Sequence, residues 1–118
     1  MAGLVDAGKN ALLNGFTASA SWVSLHTDDP GVSGSAEVSG GAYTREDATW
    51  AAAASASVST SASIVFDVPG STTIDHLGYW TASTSGTFLG SRALDTSQTY
   101  ATAGTYTIAS GNITESIT

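Results

Sequence analysis

Basic residues are scarce in this chain. Lys9, Arg45 and Arg92 are the only three, against ten acidic side chains and a formal net charge of -7. Proteins that bind nucleic acid neutralise its phosphates with clustered Lys and Arg side chains. Three cations so far apart in the sequence do not predict such a basic patch, so we expect no nucleic-acid partner.

Cysteine is absent, and no long apolar run is present. The first absence excludes disulfides and thiolate metal sites, and it fits folding in a reducing compartment. A membrane-spanning helix needs roughly 20 mostly apolar residues, and no segment approaches that length. The N-terminus also lacks the basic and apolar parts of a secretory signal. We therefore expect a soluble, unprocessed protein with no membrane partner and no cofactor.

Charged residues make up only 11% of the 118 residues, whereas about 25% is usual in globular domains. The surface must therefore be rich in hydroxyl groups, glycine and alanine. Such a surface suits a protein that lies against neighbouring subunits, and it also suits an exported protein; we favour the first. The length predicts a single domain over residues 1–118.

One helix is predicted, over residues 3–15. Leu4, Gly8 and Leu12 recur every four positions, and Asn14 with Gly15 predicts the end of the helix. A helix of this length is marginal alone in water, so it must pack against a sheet or a neighbouring chain. The side chains expected at that contact are Leu4, Val5, Leu12 and Leu13.

A period of two begins at residue 22 and predicts a strand over 22–27 that is buried on both faces. Residues 28–31, Asp-Asp-Pro-Gly, predict a turn, because proline sets φ and the aspartates can cap free amides. Four glycines and three serines follow within residues 31–42. That stretch predicts a loop, either ordered or a flexible arm.

The run of alanines after Trp50 has high helix propensity, yet the alternation that follows favours strand, and a helix over 48–54 remains the alternative.

Gly78, inside a predicted central strand, suggests a bulge or a close approach of neighbouring atoms. The other predicted strands are 43–54, 64–68, 73–81, 87–94, a hairpin of 98–102 with 105–110, and a polar strand or tail at 111–118. Seven or eight short strands predict a mainly β fold, an antiparallel β-sandwich of jelly-roll or Ig-like character with one short N-terminal helix.

A metal site is the first chemical hypothesis. His26, Asp28, Asp29 and His76 could converge, together with Asp75, if the strands 22–27 and 73–81 were neighbours. The competing interpretation is structural. In it the two aspartates cap the turn, and one ring nitrogen of each histidine forms a hydrogen bond with a backbone carbonyl.

No motif for nucleophilic catalysis is present, so we expect a protein that is not an enzyme. Glu37 with Glu46 or Asp47 could supply a carboxylate pair, but a glycine-rich loop positions such a pair poorly. A sugar-binding platform is a further possibility, although core packing is the commoner role of such rings. The aromatic residues that could line the platform are Trp22, Trp50, Tyr79, Trp80 and Tyr100.

Six segments carry a family resemblance. In chain order they read A-G-K-N-A-L-L, L-H-T-D-D-P-G, E-V-S-G-G-A-Y-T-R, F-D-V-P-x-x-T-T, H-x-G-Y-W-T-A and G-T-F-L-G, with Trp50 between the third and the fourth. This wording resembles a recurrent family of small phage virion structural proteins, described as tail-fibre-like, minor tail or capsid decoration proteins. The family offers no catalytic residues, so the resemblance implies a non-enzymatic protein assembled in the host cytoplasm.

The resemblance implies a place on the outer surface of the head or on the tail. We expect a capsid decoration protein, a homo-oligomer with a trimer favoured, held to the major capsid protein by the helix or the 31–42 loop. Net acidity fits that role, because packaged DNA repels negative charge. The alternative is a tail-fibre or minor tail component, bound to tail proteins, that could act as a host-glycan-binding module through Trp50 or Trp80. The expected interface residues are Leu4, Val5, Leu12, Leu13, Tyr43 and Arg45.

Overall fold

The computed structural model describes residues 3–117. Within them the chain forms one helix and eight strands, all paired antiparallel. The helix, α1, spans Asp6–Ser19, and none of the described helical residues forms a segment long and apolar enough to cross a membrane. The strands are β1 (Trp22–His26), β2 (Glu46–Asp47), β3 (Ser57–Ser59), β4 (Ile64–Val68), β5 (Thr72–Trp80), β6 (Phe88–Tyr100), β7 (Gly104–Ile108) and β8 (Thr114–Ser116).

The strands form a four-stranded sheet in the order β2-β1-β5-β6 and two two-stranded sheets, β3-β8 and β4-β7. The core lies between the large sheet and the β4-β7 pair, because alternate residues of each point inward. The fully buried side chains Leu25 and Ile74 come from the large sheet, and Phe66 comes from β4. The predicted mainly β, antiparallel sandwich with one N-terminal helix is confirmed.

Strand β1 lies inside the large sheet, between β2 and β5. Its last four residues are completely buried, so the prediction of a strand covered on both faces is confirmed. Its neighbour is β5, with Leu25 opposite Leu77 and His26 opposite His76. The prediction that the two strands could be adjacent is therefore also correct.

Helix α1 docks on a different face from the one that its leucine spacing predicts. Leu13 is buried, but Val5 and Leu12 are 72% and 48% exposed. Phe16, beyond the predicted end of the helix, packs edge-on against the aromatic ring of Tyr79 in the core. Of the four predicted contact residues, Leu13 therefore packs within the chain, together with Phe16 three residues later. The packing of Val5 and Leu12 against a neighbouring chain, the alternative that the sequence left open, stays a prediction.

The predicted end of the helix at Asn14 and Gly15 is also wrong, since α1 continues to Ser19. Asn10 and Asn14 each accept a hydrogen bond from a backbone N–H of the 53–56 loop, at 2.9 and 3.0 Å. Tertiary contacts of this kind outweigh the cost of about 1 kcal/mol for a glycine inside a helix. Asparagine acts here as a docking residue rather than as a stop signal.

The predicted hairpin of 98–102 with 105–110 does not form. Residues 88–100 are one strand, β6, which pairs with β5, and β7 pairs with β4 instead. Strand β6 accommodates its length by a bulge, in which residues 94–97 lie opposite Asp75 alone. Strand β7 joins β4 because the pairing places Ile108 beside Ile64 and Tyr106 beside Phe66, which extends the core.

Two open questions about the loops are decided by packing. Residues 31–42 form an ordered loop along β1, since Val38 is buried and its N–H donates to the Leu25 carbonyl at 2.9 Å. Residues 48–54 are not helical, and the strand predicted over 43–54 is reduced to β2 and isolated bridges. Trp50 explains this, because its indole N–H donates to the Ala20 carbonyl at 2.9 Å and holds the segment extended against α1.

Candidate functional site

Three of the six segments that carry the family resemblance contribute side chains to one largely buried group. We call it the motif cluster, and its members are Ser24, His26, Glu37, Tyr43, Arg45 and Trp80. They come from β1, from the loop before β2 and from the end of β5. An isolated bridge between residues 26 and 37 joins the loop to β1.

His26 and Ser24 form the inner part of the motif cluster, and both are completely buried. The His26 Nδ1 atom lies 2.8 Å from the Ser35 carbonyl oxygen, which can only accept, so Nδ1 carries the proton. The Ser24 hydroxyl then donates to His26 Nε2 at 2.6 Å and accepts from the Trp80 indole N–H at 2.8 Å. Burial lowers the pKa of His26, which keeps this neutral tautomer in place.

A serine oxygen in contact with a histidine nitrogen resembles a nucleophile with its base. The surroundings exclude that role here. Both Ser24 and His26 are sealed from solvent, and the nitrogen that a catalytic histidine would turn toward a carboxylate faces the Ser35 carbonyl instead. The pair is a structural contact inside the sheet.

Arg45 and Glu37 form the outer part of the motif cluster. Arg45 donates from Nε and Nη2 to the two carboxylate oxygens of Glu37, each at 3.0 Å. Its Nη1 donates to the backbone carbonyls of Ala82 and Ser85 at 3.0 and 2.9 Å, and its guanidinium carbon lies 3.7 Å from the Trp80 ring centroid. The Arg45 side chain is only 9% exposed, so its binding capacity is used within the chain.

Tyr43 completes the motif cluster by joining its outer part to β1. The Tyr43 hydroxyl donates to Glu37 at 2.8 Å and accepts from the Leu25 N–H at 3.0 Å. Burial, with the adjacent Glu37 carboxylate, raises the pKa of Tyr43 far above its usual range. The hydroxyl therefore stays protonated and acts as a fixed bridge between loop and strand.

The candidate metal ligands are brought only partly together. His26 and His76 are cross-strand partners, but both ring nitrogens of His26 have hydrogen-bond partners, and His76 Nδ1 contacts the Asp75 carboxylate at 2.8 Å. Asp28 and Asp29 accept hydrogen bonds from backbone N–H groups of the turn. Residues 3–117 contain no group of three or more His, Cys, Asp or Glu side chains arranged to hold a metal ion.

The candidate carboxylate pair is not assembled, since Glu37 is engaged by Arg45 while Glu46 and Asp47 lie on the edge strand β2. The aromatic candidates are also dispersed. Trp80 is buried in the motif cluster, and Trp50 packs with Phe16 and Tyr79 beneath α1. Trp22 is half-buried and lines an open groove of about 540 Å³ beside β2.

The expected interface residues fall into two groups. Val5 and Leu12 are on the surface, and Leu4 is half-buried near the start of α1. Leu13, Tyr43 and Arg45 are committed to contacts within the chain.

A second polar cluster was not predicted from the sequence. The Tyr79 hydroxyl donates to the Glu115 carboxylate, which also accepts from Arg92 Nη1 at 3.3 Å. Arg92 Nη1 donates in addition to the Thr114 carbonyl at 2.6 Å. These contacts tie β8 to the large sheet. No local pattern signals them, because the residues lie in three strands that are distant in sequence.

A family model described as Podophage GP4 fiber I protein gp80 matches residues 4–116 of the chain. The matched region runs from the segment before α1 to the last residue of β8, so it includes the helix, both layers of the sandwich and the whole motif cluster. Among curated proteins, none matches the chain.

Proposed function

Because the chain belongs to the podophage GP4 fiber I protein gp80 family, a phage structural family, we propose that it is a non-enzymatic subunit of a fibre on the outside of the virion. The observation that carries this proposal is the family match over residues 4–116. The motif cluster supports it, because its residues make their contacts within the chain and stabilise the fold. A subunit exposed on a particle benefits from such a rigid interior.

The shape and charge of the protein support a position on the outside of the capsid shell, in contact with other virion subunits. The described residues form a body 48 Å long and 26 by 23 Å across, a shape suited to stacking or projecting. The net charge of -7 disfavours contact with packaged DNA, which is itself negative. Scarcity of charge lowers the cost of desolvation when another subunit covers the surface.

Capsid decoration was the first expectation from the sequence, and acidity and low charge support it as a second candidate. The family description names a fibre, so we place a fibre subunit ahead of a decoration protein. The proposed partners are the proteins that anchor the fibre, either the major capsid protein or tail proteins. The proposed location is the outer virion surface, at the head or at the tail.

The copy number in purified particles tests this proposal. Quantitative mass spectrometry would compare this protein with the major capsid protein of the same particles. We expect it to be present and to remain after salt washing. A copy number in a simple ratio to the major capsid protein would assign it to the head, as fibre or decoration, and a few copies per particle would assign it to the tail. Absence from the particles would overturn the proposal.

We also propose that the protein self-associates, as a trimer, through the exposed side of α1. Val5 and Leu12 lie on this side and are 72% and 48% exposed, although the same helix contributes the buried Leu13 to the core. A second copy of the chain would cover these side chains and remove their apolar area from water. The helix would then have one face in the protomer and one at the interface.

The variant Leu12→Glu tests the interface. We expect it to shift the protein from trimer to monomer in sedimentation velocity at micromolar concentration, because a carboxylate would be buried without a partner. The matched control is Val65→Glu, a similarly exposed position at 49% on β4, which should leave the trimer intact. A monomeric wild-type protein would contradict the proposal, as would dissociation by Val65→Glu but not by Leu12→Glu.

A further inference from the structure

Trp22 differs from the other two tryptophans of the chain. The indole N–H of Trp50 donates to the Ala20 carbonyl and that of Trp80 to the Ser24 hydroxyl. The Trp22 indole N–H makes no hydrogen bond within residues 3–117, and in that range every buried polar side-chain atom has a partner. The Trp22 N–H must therefore reach solvent, although the residue as a whole is half-buried.

The groove beside Trp22 is lined by groups that form hydrogen bonds. It has a volume of about 540 Å³, within the range of roughly 300–1,000 Å³ that small-molecule sites occupy. Asp47 lies directly opposite Trp22 in the β1-β2 pairing, so the two side chains share one face of the sheet. Glu46, Ser63 and Ser83 also line the groove, and the Glu46 carboxylate accepts a hydrogen bond from the Thr44 hydroxyl at 3.1 Å.

From this arrangement we propose that the groove over β2 is a binding site for a neutral saccharide. A pyranose ring has an apolar C–H face that can lie on the indole of Trp22, and it carries hydroxyls around its edge. Those hydroxyls can donate to the carboxylate of Asp47 and can accept from the Trp22 N–H. An apolar platform beside a few fixed polar groups is the usual construction of a small-ligand site.

The charges of the groove select against anionic sugars. Glu46 and Asp47 are both acidic. The cation on the wall, Arg45, has its side chain 9% exposed and is paired with Glu37. A sialic acid, a uronic acid or a phosphorylated sugar would meet net repulsion there. Of the three tryptophans that the sequence offered for a sugar-binding platform, Trp50 and Trp80 have their indole N–H groups occupied, which leaves Trp22.

Indole N–H resonances in a ¹⁵N-¹H correlation spectrum provide the test, because the three tryptophans give three separate signals. The probes are soluble neutral oligosaccharides of glucose, galactose, mannose and N-acetylglucosamine at millimolar concentration. We expect at least one of them to shift the Trp22 signal in a saturable manner and to leave the Trp50 and Trp80 signals in place. Sialylated oligosaccharides should leave all three unchanged.

Two variants make the test specific. Asp47→Asn should weaken binding roughly tenfold, since it removes one charged acceptor. Asp95→Asn is the matched control, because Asp95 lines a different groove, between β6 and β7. The inference is overturned if no neutral oligosaccharide moves the Trp22 signal, or if Asp95→Asn weakens binding and Asp47→Asn does not. Either result leaves the fibre assignment, which depends on copy number in particles, unaffected.

Discussion

The variant Gly78→Ala is expected to lower the free energy of unfolding by about 3 kcal/mol or more, or to prevent folding altogether. A Cβ atom at position 78 would lie 2.7 Å from His26 Nε2, 2.7 Å from the Ser24 hydroxyl oxygen and 3.0 Å from a ring carbon of Phe88. None of these atoms belongs to a flexible exposed side chain. The methyl group would therefore have to break the Ser24–His26 contact or spread β1 from β5.

The neighbouring strand offers a matched control. Gly90 lies opposite Tyr79 on β6, and a Cβ atom there would come no closer than 3.9 Å to another side chain. We expect Gly90→Ala to change the free energy of unfolding by less than about 1 kcal/mol, and alanine can even stabilise by restricting the unfolded chain. Urea unfolding followed by circular dichroism would measure both variants. Equal effects at the two positions would show that the close approach at Gly78 is not a packing constraint.

The second large effect is expected at Arg45. Arg45→Met should destabilise the protein by about 3–5 kcal/mol, because it leaves the partly buried Glu37 carboxylate without its cation. The variant also removes the hydrogen bonds to the 82 and 85 carbonyls and the cation that lies over the Trp80 ring. Lysine would not restore the stability, since it cannot form the two-pronged contact with Glu37.

Arg92→Met is the matched control for Arg45→Met. The Arg92–Glu115 pair is 39% and 29% exposed, so its loss should cost about 1 kcal/mol or less. Adding Glu37→Gln to Arg45→Met should recover part of the lost stability, because no carboxylate is then left unpaired. The same urea titration would measure these variants. A loss at Arg92 as large as that at Arg45 would mean that the motif cluster has no special role in stability.

Parts of the fold that depend on local pattern were predictable. Strands β1, β4 and β5 appear within one residue of their predicted positions, since β-branched and aromatic residues alternate there between turn signals. The turn at 28–31 was recognised for a similar reason, because its aspartates cap amides within the turn. The close approach predicted at Gly78 is confirmed, although the atoms that approach it could not be named from the sequence.

Other features depend on contacts between distant segments. Leucine spacing did not identify Phe16 as part of the docking face of α1, because its partner Tyr79 lies in a distant strand. The pairing of β7 with β4 was missed, because a short turn at 103–104 favours a local hairpin in the sequence. The sequence supplied only a set of candidate site residues. Tertiary packing showed that His26 is buried and structural, whereas Trp22 lines a groove.

By itself the sequence determined the fold class and the scarcity of basic residues, because composition, alternation and turn chemistry are properties of the chain and of near neighbours in it. Only the tertiary structure decided which polar residues are buried together and which face a groove. Arg45 contacts Glu37 and Trp80, and Asp47 pairs with Trp22 in the sheet, through loops whose path the local pattern does not specify. Burial decides whether a charged or aromatic side chain stabilises the fold or is left free to bind, and burial is a property of the assembled sheets.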